Sequence, residues 1–293
     1  MTRLPGSIAR RYGKVFDEIA AAYDRQRPTY PDQLIDQACE VAGISDGDHV
    51  LEVGCGSGQL TRSLLARGLR VTAVEPGKSL IVLARKNLEG TGEVEFVNAQ
   101  FEDALLPPEQ FRAAFSASAF HWVDPAVSWQ KVADALVPGG ILALVQYFGL
   151  DEPRSRRDQE AALDAMRKVA PDIAADWPTY RDLDGTLAGI EQRSGNVSEV
   201  WAWLGSHDVG RDYAASLFGD VEAALMPKLI ELTPDEANAL LRTMSFYAGL
   251  SEAQRGALQR EYEAIYVRLG RPIRASTVTA LVTARRTGRA QPI

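Results

Sequence analysis

The stretch Val50-Leu51-Glu52-Val53-Gly54-Cys55-Gly56-Ser57-Gly58-Gln59-Leu60-Thr61 decides the fold. Four strand-forming residues run into glycines at three alternate positions, and a helical pattern opens at once. A strand buried on both faces of a parallel sheet reads as an apolar run of this kind. Glycine then lets the backbone turn sharply and come close to a ligand. The start of the next helix offers unpaired N–H groups and the positive end of its dipole. Together these features make a ligand cradle at the carboxyl end of a strand.

Outward from the cradle, strands and helices alternate. Strands are predicted at 49–53, 69–74, 94–97, 111–118 and 141–146, with helices at 59–66 and 78–88 between them. Asp124-Pro125 opens a further helix, with Asp as N-cap and Pro at the first helical position. Pro138-Gly139-Gly140 turns the chain into the fifth strand. This alternation predicts a parallel sheet with helices on both faces. Upstream, apolar residues at helical spacing mark 14–22, the run Arg27-Pro28-Thr29-Tyr30-Pro31 breaks that helix, and a second follows over 31–41.

Past Tyr147 the pattern becomes helical to about 219 and holds Trp177, Trp201 and Trp203, which reads as an inserted cap. Sheet pattern resumes at 220–232, where Pro227 signals a bulge or an edge. Capping boxes at Thr233 and Ser251 open two more helices, the second ending at Gly270. A last strand covers 273–284. The expected organisation is therefore lid helices over 1–43, a cofactor-binding core over 44–147, a helical cap over 148–219, and a part completing the sheet over 220–293. The fold class is α/β: a doubly wound, Rossmann-like, seven-stranded sheet, mostly parallel, with the last strand antiparallel.

Composition narrows the function. The 293 residues are 46% apolar and 24% charged, an ordinary globular balance. The formal charge of -7 argues against nucleic acid or an anionic membrane as partner. No stretch has the ~18 uninterrupted apolar residues of a membrane span, and no export signal is visible. Cys39 and Cys55 are too few for a disulfide framework, which fits reduced thiols in the cytoplasm. The three histidines lie far apart without metal-ligand spacing, so no metal site is expected.

Three ligand classes use a strand, a glycine turn and a helix. Dinucleotides call for Gly-x-Gly-x-x-Gly, whereas the spacing here is Gly-x-Gly-x-Gly. A phosphate loop needs a Gly-Lys-Ser/Thr ending, which is absent. S-adenosylmethionine remains, because its sites use the same strand end without a phosphate to bind. A nicotinamide-dependent oxidoreductase and a non-catalytic S-adenosylmethionine-binding protein stand as the rival readings.

Glu52-Val53-Gly54-Cys55-Gly56-Ser57-Gly58 resembles, without a gap, the first motif of the Rossmann-like (class I) S-adenosylmethionine-dependent methyltransferases. Phe16-Asp17 through Tyr23-Asp24-Arg25 to Pro31 resembles the lid of the trans-aconitate-methyltransferase-like, small-molecule branch. Ala119-Phe120-His121-Trp122-Val123-Asp124-Pro125 resembles that branch's motif after the fourth strand, and Pro138-Gly139-Gly140 fits the turn before the fifth. The resemblance implies methyl transfer from S-adenosyl-L-methionine to an oxygen, nitrogen or carbon of a small molecule, leaving S-adenosyl-L-homocysteine. The enzyme would be a monomer or homodimer.

The resemblance also implies site roles. Gly54 and Gly56 pass closest to the methionine part, Glu52 holds the loop through its backbone N–H groups, and Cys55, Gln59 and Leu60 extend this wall. Glu75, ~20 residues past the glycine turn, is placed to accept from both ribose hydroxyls, with Pro76 against the adenine edge. The Phe101 backbone and the Glu102 carboxylate read the adenine. Ser118, Ala119 and Phe120 face the cofactor after the fourth strand. In the lid, Arg27 clamps the cofactor carboxylate and Tyr23 faces the sulfonium. His121 is the candidate base, since its ordinary pKa suits proton transfer near neutrality. Tyr30, Trp122, Tyr147 and Trp203 are the candidate acceptor-binding residues.

Overall fold

A computed structural model of the chain describes residues 29–175, 177–205, 214–242 and 245–287. In chain order these form α1 (Asp32–Ala42), β1 (His49–Val53), α2 (Gln59–Leu65), β2 (Arg70–Val74), α3 (Lys78–Asn87), β3 (Val94–Val97) and β4 (Phe111–Ala117). A 3-10 turn (Phe120–Trp122), α4 (Pro125–Ala135) and β5 (Leu136–Gly149) follow. Next come α5 (Arg156–Val169), α6 (Pro171–Ala175), α7 (Leu183–Glu191), α8 (Val197–Gly205) and β6 (Phe218–Leu232). The chain closes with α9 (Pro234–Arg242), a 3-10 turn (Ser245–Gly249), α10 (Glu252–Leu269) and β7 (Ile273–Arg286).

The strands form one seven-stranded sheet in the order β3-β2-β1-β4-β5-β7-β6. β7 is antiparallel to both neighbours, so β6 runs with β5, and the ladders joining β3, β2, β1, β4 and β5 are parallel. Alternation along the strands builds a core on each face. Leu51, Val53, Leu142 and Leu144 pack with Trp129 and Trp201 on one side. Val50, Ile141, Ala143 and Val145 pack with Ile35, Leu60 and Leu64 on the other. Because strand order reverses between β1 and β4, the crevice above their carboxyl ends is the topological switch point where ligands bind in open α/β sheets.

The local signals act as their chemistry dictates. The Asp124 side chain accepts from the Ala126 N–H at the start of α4. Ser251 and Gln254 complete a reciprocal capping box, and Gly270 ends α10 in the left-handed region. Pro227 lies in β6, the edge strand, where its missing N–H costs no ladder bond on the open side. The fifth strand is longer than predicted. It begins at Leu136, carries Pro138-Gly139-Gly140 within it and continues past Tyr147 to Gly149, because β7 pairs with it up to Thr277.

The expected single cap over 148–219 divides in the structure. α8 packs on the sheet, and Val197, Val200, Trp201 and Leu204 belong to the core beneath it, so this helix is a sheet-covering element. The separate helical layer comes instead from two insertions. Ala165 and Met166 of α5 pack with Leu241 of α9 and with Leu258, Tyr262 and Ile265 of α10. Buried Asp158 ties the second insertion to the first, accepting from Arg271 Nη1 at 2.7 Å, Arg271 Nη2 at 3.1 Å and the Arg274 N–H at 2.8 Å. Both insertions rise from the edge that carries the glycine turn, because β5 and β6 run with β1. Gly149 pairs with Thr277 and Leu232 with Ile273, so the outer hairpin stands four residues higher than the end of β5. The sequence pattern marks 148–219 only as helical; packing shows which of the helices belong together.

Among the described residues, no helix is long and apolar enough to cross a membrane.

Candidate cofactor site and its surroundings

The glycine turn is fixed from three sides. The Gly54 N–H donates to the Val74 carbonyl at 2.8 Å, which ties the turn to the end of β2. Gly54 has φ +75°, and a Cβ there would sit 2.3 Å from the Ala119 Cβ. No side chain fits between the glycine turn and the segment after β4. Gly58 caps α2 at φ +89°, where a Cβ would meet Leu88 Cδ1 at 2.8 Å. Across the switch point, Ser116 Oγ donates to the Val53 carbonyl at 2.8 Å. Ser118 holds φ +53°, a left-handed conformation that costs a non-glycine residue ~1–2 kcal/mol. Its N–H donates to the Val145 carbonyl at 2.8 Å, so ladder pairing compensates the strain.

Two buried carboxylates bracket this loop. Glu75 Oε2 accepts from the Gly56 N–H at 3.0 Å, and its Oε1 accepts from the Gly77 N–H at 2.8 Å. Glu52 differs from its expected role. Its Oε2 accepts from Thr61 Oγ at 2.6 Å and it takes a second bond from the Thr61 backbone, so it holds the first turn of α2 rather than the glycine loop. Gly58 has no side chain with which to cap that helix, and Glu52 does so from the neighbouring strand. Burial, followed by repulsion from Glu75, pushes the Glu52 carboxyl up to about 7, against the lowering effect of its bonds to Thr61. Burial and then the same two carboxylates hold the Cys55 thiol well above its ordinary value, so Cys55 is an inert wall residue.

Tyr30, Glu52, Gly54, Cys55, Gly56, Gln59 and Leu60 line one narrow cleft, together with Ser57 and Ala117. Ser57 was passed over in the sequence as a spacer between glycines. Its Oγ is buried in the cleft wall with no hydrogen-bond partner among the described residues. Asn98, also passed over, donates through Nδ2 to the Glu75 and Pro76 carbonyls at 2.9 and 3.1 Å and fixes the loop that carries Glu75. A polar residue directly after a strand is the only signal that marked it.

The remaining predicted residues separate into groups. Tyr30 and Tyr147 come together, with rings stacked 5.3 Å apart and Tyr147 Oη donating to the Thr29 carbonyl at 2.6 Å. Ala119, Phe120, His121 and Trp122 occupy the turn beside Gly54, with the His121 and Trp122 rings 4.8 Å apart. Phe120 is buried against Trp129 and serves the core. Phe101 is buried too, and the Glu102 carboxylate faces α4, where it accepts from the Asp124 N–H at 2.9 Å. Trp203 of α8 is engaged against α7. Its Nε1 donates to the Thr186 carbonyl at 3.2 Å, and its ring leaves no room for a Cβ at Gly189. Tyr23, Arg27 and the helix expected over 14–22 lie outside the described residues.

The comparisons with known proteins bear on the same stretch. The methyltransferase-domain family matches residues 51–144, from β1 through β5. These residues are similar to a methyltransferase domain. An uncharacterised methyltransferase of Mycobacterium tuberculosis strain H37Rv is 38% identical over 130 residues, covering 44% of this chain and 51% of that protein. A trans-aconitate 2-methyltransferase of Paracidovorax citrulli is 32% identical over 165 residues, covering 55% of this chain and 57% of that one. The chain thus spans about half the length of the curated relatives it matches. Among solved structures, a candidate type II methyltransferase from Anaeromyxobacter dehalogenans superposes over 88% of this chain and 97% of its own, with a TM-score of 0.59 and 25% identity. The sheet order and the antiparallel β7 are those expected of the class I methyltransferase fold.

Proposed function

We propose that this protein transfers a methyl group from S-adenosyl-L-methionine to a small-molecule acceptor. The observation that carries this reading is the charge of the cradle. Glu75 already occupies the Gly56 N–H, and Glu52 lies buried beneath the same loop. A pyrophosphate placed there would meet two carboxylates and find a key N–H taken. A sulfonium ligand with an ammonium group carries positive charge, which the carboxylates attract. The orphan Ser57 hydroxyl and the glycine close approach supply a donor and room without adding bulk.

Bound S-adenosylmethionine supplies an electrophilic methyl on sulfur. The chain's own residues do the rest. Glu75 accepts from the ribose hydroxyls, and the glycine turn admits the methionine part. The Ala119–Trp122 turn walls the reacting end, and the Tyr30–Tyr147 stack restricts water. Arg27 and Tyr23, a few residues before Tyr30 in the sequence, are the candidates to meet the cofactor carboxylate and sulfonium. In-line approach at short range provides most of the acceleration for such a displacement. His121 takes the proton released by an O–H or N–H acceptor as the new bond forms and the methyl–sulfur bond breaks.

Small molecules suit the reading because two insertions rise above the carboxyl edge. The names of the relatives point the same way, since neither trans-aconitate nor demethylmenaquinone is a macromolecule. The test is release of S-adenosylhomocysteine from labelled donor across a panel of phenol, amine, carboxylate and phosphate acceptors. Turnover by the wild type, with the rate of a His121→Gln variant losing its rise through neutral pH, supports the assignment. Binding of donor without turnover on any acceptor contradicts it.

A further inference from the structure

Beyond β5 the chain places two cations together. Leu150 bridges to Arg181, and the Asp151 N–H donates to the Arg181 carbonyl at 2.8 Å, so this arginine is fastened directly past the strand end. Its guanidinium carbon lies 3.5 Å from the centre of the Trp203 ring, and that of Arg193 lies 4.2 Å from the same centre. Each donates to a carbonyl: Arg181 Nη1 to that of Trp203 at 3.0 Å and Arg193 Nη1 to that of Gly189 at 2.8 Å. Among the described residues neither forms an ion pair, although the chain carries a formal charge of -7.

Two guanidiniums on one indole is an unusual arrangement to leave uncompensated. The ring attracts each cation, but the cations repel one another, and desolvation followed by Arg193 lowers the Arg181 pKa. Packing holds the platform rigid. The Trp203 indole N–H is tied to Thr186 and its ring is seated on Gly189. Both arginines are half-buried, so their remaining N–H donors are reachable yet partly shielded from water. Planar, fixed forks with spare donors match the two-oxygen edge of a carboxylate or phosphate.

We propose that Arg181 and Arg193, held on Trp203, form an oxyanion-binding site next to the end of β5 that takes a carboxylate or phosphate of the methyl acceptor. The identity of the ligand rests on the methyl-transfer reading; the site itself does not. It also gives Trp203 its place in function, as the platform under the two cations.

The experiment is calorimetric titration of the full chain with inorganic phosphate and with citrate at constant ionic strength, comparing wild type, Arg193→Gln and Arg193→Lys. The expected result is saturable binding by the wild type, at least tenfold weaker in the Gln variant and partly retained in the Lys variant. S-adenosylhomocysteine affinity should be equal in all three. No saturable binding by the wild type, or equal binding by the Gln variant, overturns the site. The stronger probe tells which oxyanion is preferred. The acceptor assignment is then read from labelled-methyl turnover. Anionic acceptors should be methylated with KM at least tenfold higher and kcat little changed in Arg193→Gln, and turnover confined to uncharged acceptors overturns it. Failure to bind S-adenosylhomocysteine would contradict the methyl-transfer reading while leaving the oxyanion titration decisive for the site.

Discussion

At one side of the sheet, Glu52, Gly54, Gly56 and Glu75 fall within one strand-helix-strand unit; the first three line a single cleft, and Glu75 accepts from the Gly56 N–H. At the other side, the layer above β5, β7 and β6 is assembled from α5–α6 and α9–α10, which are separated along the chain by α7, α8 and β6. The first region is local: its turn residues, strand ends and helix start dictate one another over a few positions. The second is a composite whose parts acquire meaning only when they pack. The contrast matches the division of labour in the proposed reaction. A fixed donor needs a fixed cradle, while the acceptor side can be rebuilt by changing insertions without disturbing the sheet.

Substitutions can break that division in order of expected effect. Gly54→Val should be the most severe for donor binding. It forces a β-branched residue to φ +75° and drives its Cβ into Ala119. S-adenosylhomocysteine affinity should fall by more than about 100-fold by calorimetry, with the cap intact by limited proteolysis. Asp158→Ala should do the reverse. It strips the Arg271 fork and the Arg274 N–H of their buried acceptor, and about 3 kcal/mol of stability should be lost in urea unfolding, while donor affinity stays within twofold. Equal loss of donor binding would show that the two regions are one cooperative unit.

Smaller changes sharpen the picture. Glu75→Gln keeps an acceptor for one loop N–H and loses the other, so donor affinity should drop roughly tenfold, about 1.4 kcal/mol. Glu52→Gln should stabilise the fold. The Glu52 carboxyl titrates near 7 in the folded chain, above its ordinary value of 4.5. The unfolded chain therefore ionises first as pH rises, and the folded state is penalised progressively between those values and fully above them. Removing the charge should raise the melting temperature at pH 8 by the equivalent of about 1 kcal/mol, after the cost of burying an amide, and the gain should vanish toward pH 4.5.

The same contrast explains what could be read from the residues alone. The parallel sheet with helices on both faces and the glycine turn at a strand end follow from apolar runs, glycine spacing and caps, which are short-range signals. Glu52 was misassigned because its partner, Thr61, lies one helical turn beyond the motif and bonds from the side facing α2. Glu102 stands at a suitable sequence distance from the strands, yet Asp124 takes its carboxylate from a segment over twenty residues away. The seat of Trp203 on Gly189 and its two arginine neighbours lie beyond composition, which names no contact. The grouping of α5 with α10 depends on contacts across about a hundred residues, and periodicity along one helix does not name its partner.

The central claim is that the glycine turn with its two carboxylates is a cradle for a cationic methyl donor. Side-by-side calorimetric titration of the wild type with S-adenosylmethionine, S-adenosylhomocysteine and NAD tests it most directly. The account predicts saturable one-to-one binding of both S-adenosyl compounds, lost in Gly54→Val, and no heat of binding with NAD. Saturable NAD binding without S-adenosylhomocysteine binding would contradict it.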